Sequence, residues 1–165
     1  MAKILITGVP GTGKTTTLEN LKHKLKLHGI ILPEFIKENK LYIEYNENLD
    51  TLEYDEDKVE DFLIEYLEKN KIENFVLESH TPTTVENIKF DFIFILILKN
   101  EDLKKIYNER KYPSEKIQEN IDCQNFENIQ DDCFSCFDEE KIFIINRTDR
   151  NVEEVSEKIL NLIKH

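Results

Sequence analysis

Arginine is scarce in this chain of 165 residues: Arg110, Arg147 and Arg150 are the only three, and lysine supplies the rest of the positive charge. Phosphoryl chemistry commonly uses the planar fork of a guanidinium, so the places where this chain can offer one are few. Positive charge as a whole is in deficit, with 22 Lys+Arg against 34 Asp+Glu and a formal net charge of -12. That balance argues against direct sequence-specific contact with nucleic acid, which needs a basic face, and any association with RNA is expected to run through a protein partner. No apolar run approaches the length of a bilayer span, and "MAKILITG" reads as entry into a strand rather than a secretory signal. The expectation is a cytoplasmic monomer with no membrane association. Cysteine is sparse and odd in number: Cys123, Cys133 and Cys136 are expected to be reduced thiols. "CFSC" (133–136) has C-x2-C spacing, but zinc would need a second pair of ligands, and only Cys123 and four scattered histidines remain. Ordinary helix packing is the better reading of that pair.

What is present is an alternation of strands and helices. Lys3 to Thr7, "NFVLES" (74–79), "DFIFILIL" (91–98) and "KIFIIN" (141–146) are apolar runs of strand length, and continuous runs suit a parallel sheet covered on both faces. Leu18, Leu21, Leu25 and His28 recur at helical spacing, which predicts a helix over about 14–28 ended by Gly29. The mixed, acidic stretch 30–57 is expected to hold a short strand, a short helix and an excursion. Val59, Phe62, Leu63, Tyr66 and Leu67 mark one amphipathic helix. A polar helical stretch covers about 100–136 with a break at Pro113, and Asn151 with Glu154 opens a last helix, Val152 to Lys164. The fold class is α/β, a single doubly wound P-loop NTPase domain with ligands beyond the carboxyl ends of the strands.

"GVPGTGKTTT" (8–17) lies directly behind the first strand and fits G-x-x-x-x-G-K-[ST]. Gly8, Gly11 and Gly13 let backbone N–H groups approach phosphate oxygens, with Thr12 and Thr16 in the same loop, and a helix N-terminus adds favourable partial charge. Lys14 would reach the β- and γ-phosphates of a nucleoside triphosphate, ATP, and the Thr15 hydroxyl would ligate Mg²⁺. The second acidic metal partner should sit at the carboxyl end of a strand. Glu78 closes "NFVLE", whereas Asp91 begins its strand, so Glu78 is preferred. His80, two residues on, could orient a water or a phosphate oxygen, or be a hydrogen-bonded loop histidine. Transfer of phosphoryl to a second nucleotide also requires an acceptor pocket and a lid that excludes water. Two insertions are candidates: 34–57, and "ERKYPSEKIQE" (109–119), where Arg110, Lys111 and Lys116 concentrate positive charge. The alternative for the second is a solvated charged helix face.

"KENKLYIEYNENLDTLEYDEDKVEDFL" (37–63) resembles the acceptor region of the adenylate kinase isoenzyme six family, the CINAP-type nuclear adenylate kinases of eukaryotes and their archaeal counterparts. "GVPGTGKTT" is similar to that family's G-T-P-G-x-G-K-T-T. "ERKYPSEKIQEN" resembles its lid, with Arg110, Tyr112, Lys116 and Asn120 in place, and "LESH" (77–80) stands where the family has D-Y-H. "NRTDRNVEEV" (146–155) is similar to its closing segment. There are departures: Glu78 replaces an aspartate, Lys111 a glycine, and Ile106 a frequent arginine. The resemblance implies transfer from ATP to a nucleoside monophosphate, AMP above all, with Arg110 closing on the transferring group. It also implies ATPase activity, a role in maturing the small ribosomal subunit through a small-subunit ribosomal protein, and nuclear as well as cytoplasmic location in a eukaryote. An ATP-driven assembly switch with negligible kinase turnover is the alternative of a different class, and a metabolite kinase a third.

Overall fold

The computed structural model describes residues 2–48 and 51–164; Leu49 and Asp50, inside the 34–57 stretch, lie outside the described residues. The chain runs β1 (Lys3–Thr7), α1 (Lys14–Leu25), β2 (His28–Ile31), α2 (Leu32–Glu38), β3 (Tyr42–Asn46), β4 (Thr51–Tyr54) and α3 (Glu56–Lys69). It continues with β5 (Phe75–Glu78), β6 (Phe92–Ile97), α4 (Asn100–Glu109), α5 (Ser114–Asn125), α6 (Asn128–Cys136), β7 (Ile142–Asn146) and α7 (Val152–Lys164). Short 3₁₀ turns occupy Pro82–Val85 and Glu139–Lys141.

Five strands form a parallel sheet in the order β2-β5-β1-β6-β7, and β3 pairs antiparallel with β4 as a separate hairpin. Side chains alternate across a strand, and β1 shows the result. Leu5 joins one core, with Leu77, Ile93, Ile95, Val59, Leu63, Leu103 and Tyr107, while Ile4 and Ile6 join the other, with Leu18, Leu21, Phe94, Val155 and Ile159. Both faces of the sheet are therefore covered, which is why β5 and β6 read as unbroken apolar runs. Leu5, Val76, Leu77, Ile93 and Phe94 are all fully buried.

Two features differ from the sequence expectation. Helix α1 stops at Leu25, three residues early, because Lys26 takes a left-handed conformation (φ 53°) and the Leu27 N–H returns to the Lys22 carbonyl. Gly29 does not end the helix; it lies within β2, where a Cβ would meet the Lys22 side chain at 2.9 Å. The 100–136 stretch breaks twice rather than once. After the expected interruption at Pro113, Glu127 (φ 55°) separates α5 from α6. Elsewhere the pattern and structure agree, including the last helix, where Asn151 accepts from the Glu154 N–H at 2.8 Å.

Cys133 is fully buried in the core and Cys123 and Cys136 are partly buried. Burial pushes the Cys133 thiol up to about 12, as expected of a packing residue. Among the described residues no group of three His, Cys, Asp or Glu could hold a metal ion, and no helix is long and apolar enough to cross a membrane.

Candidate functional site

The central strand β1 ends at Thr7, and the chain then turns tightly before α1 begins at Lys14. Two glycines make that turn sterically possible. Gly8 (φ 147°) lies so close to β6 that a Cβ would stand 2.5 Å from the Leu96 carbonyl oxygen. Gly13 (φ 89°) caps α1 in a left-handed conformation, and a Cβ there would stand 2.9 Å from Nη1 of Arg147. Thr12 is fully buried and donates to the Val9 carbonyl at 2.9 Å, tying the loop across its own width.

Lys14 folds back over this loop. Its ammonium donates to the carbonyls of Gly8 at 2.9 Å and Val9 at 3.1 Å. Burial lowers its pKa to about 8; the Glu78 carboxylate opposes that shift and the Arg110 charge adds to it. Thr15 Oγ1 donates to both carboxylate oxygens of Glu78, at 3.0 and 2.8 Å. Glu78 reaches this position because β5 lies beside β1 in register, with Ile6 opposite Glu78. Its pKa is raised, first by burial, against the lowering effects of Lys14 and the Thr15 hydrogen bond. Asp91 is at the opposite end of the sheet, where its carboxylate accepts from the Lys3 N–H at 2.9 Å. The two carboxylates thus lie at opposite ends of the sheet, Glu78 at the end that carries the phosphate-loop motif.

One cleft of about 480 Å³ opens above the loop. It is lined by Gly11, Gly13, Lys14, Thr15 and Thr16, by Glu78, Ser79, His80 and Thr81, by Pro33, Glu34, Ile36, Lys37, Thr51, Leu52 and Tyr54, and by Arg110, Tyr112, Lys116, Glu119 and Asn120. Both insertions singled out in the sequence therefore meet the phosphate-loop motif in one space. Gly8 and Thr12 do not line the cleft and act on the loop's shape. The His80 imidazole is pushed down to about 4 by desolvation in the cleft, then by Lys14 and Lys116. The ring is therefore neutral at pH 7.

Arg110 caps the end of α4 on the cleft rim, exposed, with Nη1 3.5 Å from the Tyr112 hydroxyl. Lys111 next to it is left-handed (φ 58°), the conformation a glycine adopts without strain. Ile106 packs where a Cβ on Gly11 would be 3.2 Å from its Cγ2, and the Tyr107 hydroxyl donates to the Pro10 carbonyl. The rings of Tyr107 and Tyr112 stack at 5.3 Å, and Lys116 Nζ lies 4.0 Å from the Tyr112 ring centroid. On its other flank the phosphate loop leans on Arg147, whose Nη1 is 3.5 Å from the Gly11 carbonyl and whose Nε is buried without a partner. Sequence reasoning assigned no role to Arg147 or Tyr107. Their contacts with the loop span 97 to 136 residues of chain and carry no local pattern, although the scarcity of arginine was a signal for the first.

Comparison with known proteins adds a family. A family model described as an AAA domain matches residues 4–127. A Methanocaldococcus jannaschii protein named "Putative adenylate kinase" is 34% identical over 164 residues, covering 99% of this chain and 86% of its own. The "Adenylate kinase isoenzyme 6 homolog" of Schizosaccharomyces pombe is 28% identical, over 96% of this chain and 88% of its own. Among solved structures, shikimate kinase from Aquifex aeolicus has a TM-score of 0.61 at 16% identity, covering 98% of this chain and 95% of its own. Thymidylate kinase from Candida albicans has a TM-score of 0.60 at 13% identity, covering 99% and 92%. These structural likenesses concern the P-loop kinase fold alone.

Proposed function

We propose that this chain, which belongs to the adenylate kinase-like family carrying the AAA domain, transfers the γ-phosphoryl group of ATP to AMP and yields two ADP. The observation that carries this reading is the single cleft in which the phosphate loop, Glu78 and His80, the 33–54 segment and the 110–120 segment face one another. A hydrolase needs no such second wall opposite its phosphates; a kinase that moves phosphoryl between two nucleotides does.

In this reading the loop amides and Lys14 hold the triphosphate, and Lys14 leaves the Gly8 and Val9 carbonyls to meet phosphate oxygens. The 34–57 insertion holds AMP. A phosphate oxygen of AMP attacks the γ-phosphorus while its bond to the β-bridging oxygen breaks, and ADP leaves. Arg110, exposed at the rim and near enough for its charge to reach Lys14, turns inward with the 109–119 lid to stabilise the transferring group. Neutral His80 orients a water or a phosphate oxygen. Thr15 and Glu78 offer adjacent hard oxygens within 3.0 Å of each other, a donor set that suits Mg²⁺. When bound, the ion would neutralise phosphate charge there.

The net charge of -12 supports a companion reading, hydrolysis of ATP under the control of a basic protein such as one of the small ribosomal subunit. A coupled assay separates the two: ATP alone against ATP with AMP, CMP, GMP or UMP. ADP formation strongly stimulated by AMP is the expected result. Equal ADP formation with and without every monophosphate would overturn the kinase reading.

A further inference from the structure

The β3–β4 hairpin is a poor independent structure. Two strands alone are marginal in water, and most of its side chains are exposed, with Ile43 71% accessible. Among the described residues of the hairpin, Leu52 and Tyr54, alternate residues of β4, pack against the core, and Tyr45 of β3 lies under the Lys37 ammonium, 4.7 Å from its ring centroid. Leu52 contributes apolar contact alone. The Tyr54 hydroxyl shares hydrogen bonds with Thr81 Oγ1 at 2.9 Å and Thr84 Oγ1 at 3.1 Å.

Those partners belong to a longer chain of polar groups. Thr81 Oγ1 is 3.1 Å from Ser79 Oγ, and the Thr81 N–H donates back to Ser79 Oγ at 3.0 Å. Thr84 Oγ1 lies 3.1 Å from both Thr81 Oγ1 and the Glu56 carboxylate, which also accepts from Thr83 at 2.9 Å. Ser79 and Thr84 are each 1% exposed. The network thus begins beside Glu78, brackets His80 between Ser79 and Thr81, and ends at the first turn of α3. Tyr54 is the member that belongs to the hairpin.

We infer that Tyr54 is a positioning residue of the acceptor subsite: its hydroxyl latches the hairpin to the His80-bearing loop and thereby sets where the monophosphate lies relative to the phosphate loop. The inference rests on the acceptor role proposed for 34–57. A latch differs from a structural bond in what its loss leaves behind. Without the Tyr54 hydroxyl, Thr81 still has Ser79 and Thr84, and Thr84 still has Glu56 and Thr81, so no buried hydroxyl is orphaned and the fold should persist. What is lost is the fixed placement of the hairpin, and with it the ordering that AMP binding requires.

The test compares wild type, Tyr54→Phe, Thr81→Val, Thr81→Ser and the Tyr54→Phe/Thr81→Val double variant. AMP and ATP binding are measured by calorimetry, transfer by the ADP assay, and folding by thermal melting. Tyr54→Phe should weaken AMP binding and raise KM for AMP on the order of tenfold, the scale of one hydrogen bond, with ATP affinity within about twofold. Thr81→Val, which leaves the Tyr54–Thr84 hydrogen bond in place, should have a smaller effect in the same direction, Thr81→Ser should behave as wild type, and the double variant should be no worse than Tyr54→Phe. An unchanged AMP affinity in Tyr54→Phe, an equal loss for ATP, or additive losses in the double variant would each overturn the latch. If wild type binds AMP but makes no ADP from it, the transfer reaction falls and the latch is judged on binding alone. If wild type does not bind AMP, both fall.

Discussion

The two walls of the cleft are built on opposite principles. The phosphate loop is backbone pinned through its own carbonyls: glycine conformations, a threonine clasp and flanking side-chain contacts from Tyr107 and Arg147 leave it little freedom. The opposing wall is made of side chains on exposed segments, the β3–β4 hairpin and the 110–116 turn, each joined to the body by a few polar or aromatic contacts. In the kinase reading proposed above, a tightly held loop facing segments with few anchors is an arrangement suited to excluding water only when both ligands are present. It also means that substitutions on the two walls should fail in different ways.

The largest effect is expected at the loop. Lys14→Ala should abolish transfer, a loss on the order of 10³-fold or more, while melting stays close to wild type because the ammonium touches loop carbonyls rather than the apolar core. Full turnover by a folded Lys14→Ala protein would remove the basis of the reading. On the lid side, Arg110→Ala should cut ADP formation by about 10³-fold with only a modest change in ATP affinity, since its charge is needed chiefly in the closed transition state. Arg110→Lys should restore little, because an ammonium lacks the planar fork. If both reactions, transfer and hydrolysis, survive Arg110→Ala unchanged, 109–119 is a solvated helix face.

Smaller and more diagnostic is Glu78→Gln. Activity should fall most at low Mg²⁺ and recover in part as Mg²⁺ is raised, with nucleotide binding less affected; a magnesium titration superimposable on wild type would exclude Glu78 from that role. Proton balance sharpens the donor side further. Lys14 has a pKa of about 8 in the unliganded fold against an ordinary 10.5, so between these values the folded protein binds fewer protons than the unfolded one. Stability contributed through Lys14 therefore rises with pH in that window. Phosphate oxygens favour the ammonium, so ATP binding at pH 8–10 should take up a proton and weaken as pH rises. Calorimetry in buffers of different ionisation enthalpy should show that uptake in wild type and its absence in Lys14→Ala. The smallest effect belongs to Lys111→Gly. Relief of a left-handed lysine, worth about 1–2 kcal/mol, is partly offset by the greater freedom of an unfolded glycine, leaving at most about 1 kcal/mol of stabilisation by denaturant titration.

The same division explains what could be read from sequence. The loop is legible because a backbone requirement leaves fixed residue types at fixed spacing, and Glu78 follows from its place at the end of a buried run. The inner strands β1, β5 and β6 are legible because both faces are covered, whereas β2, an edge strand, begins at His28, which reads with the helix before it. The end of α1 and the break between α5 and α6 are not legible, since Lys26 and Glu127 take conformations that more often mark Gly or Asn. The Tyr54 latch is not either: its partners lie 27 and 30 residues away and leave no periodic trace. The 30–57 stretch could be assigned an excursion but not a hairpin, because β3 and β4 are too exposed to show apolar alternation.

The stacked pair of Tyr107 and Tyr112 has a practical consequence. The sequence contains no tryptophan and six tyrosines, so ultraviolet absorption and emission of the protein are governed by phenol rings. Two of those rings lie nearly parallel, 17° apart, one anchored to the phosphate loop and the other on the 110–116 turn beside Arg110. Any swing of that turn away from α4 must separate the two chromophores and change their electronic coupling. The molecule thus carries its own optical gauge of where that turn lies, readable by near-ultraviolet circular dichroism without an attached dye.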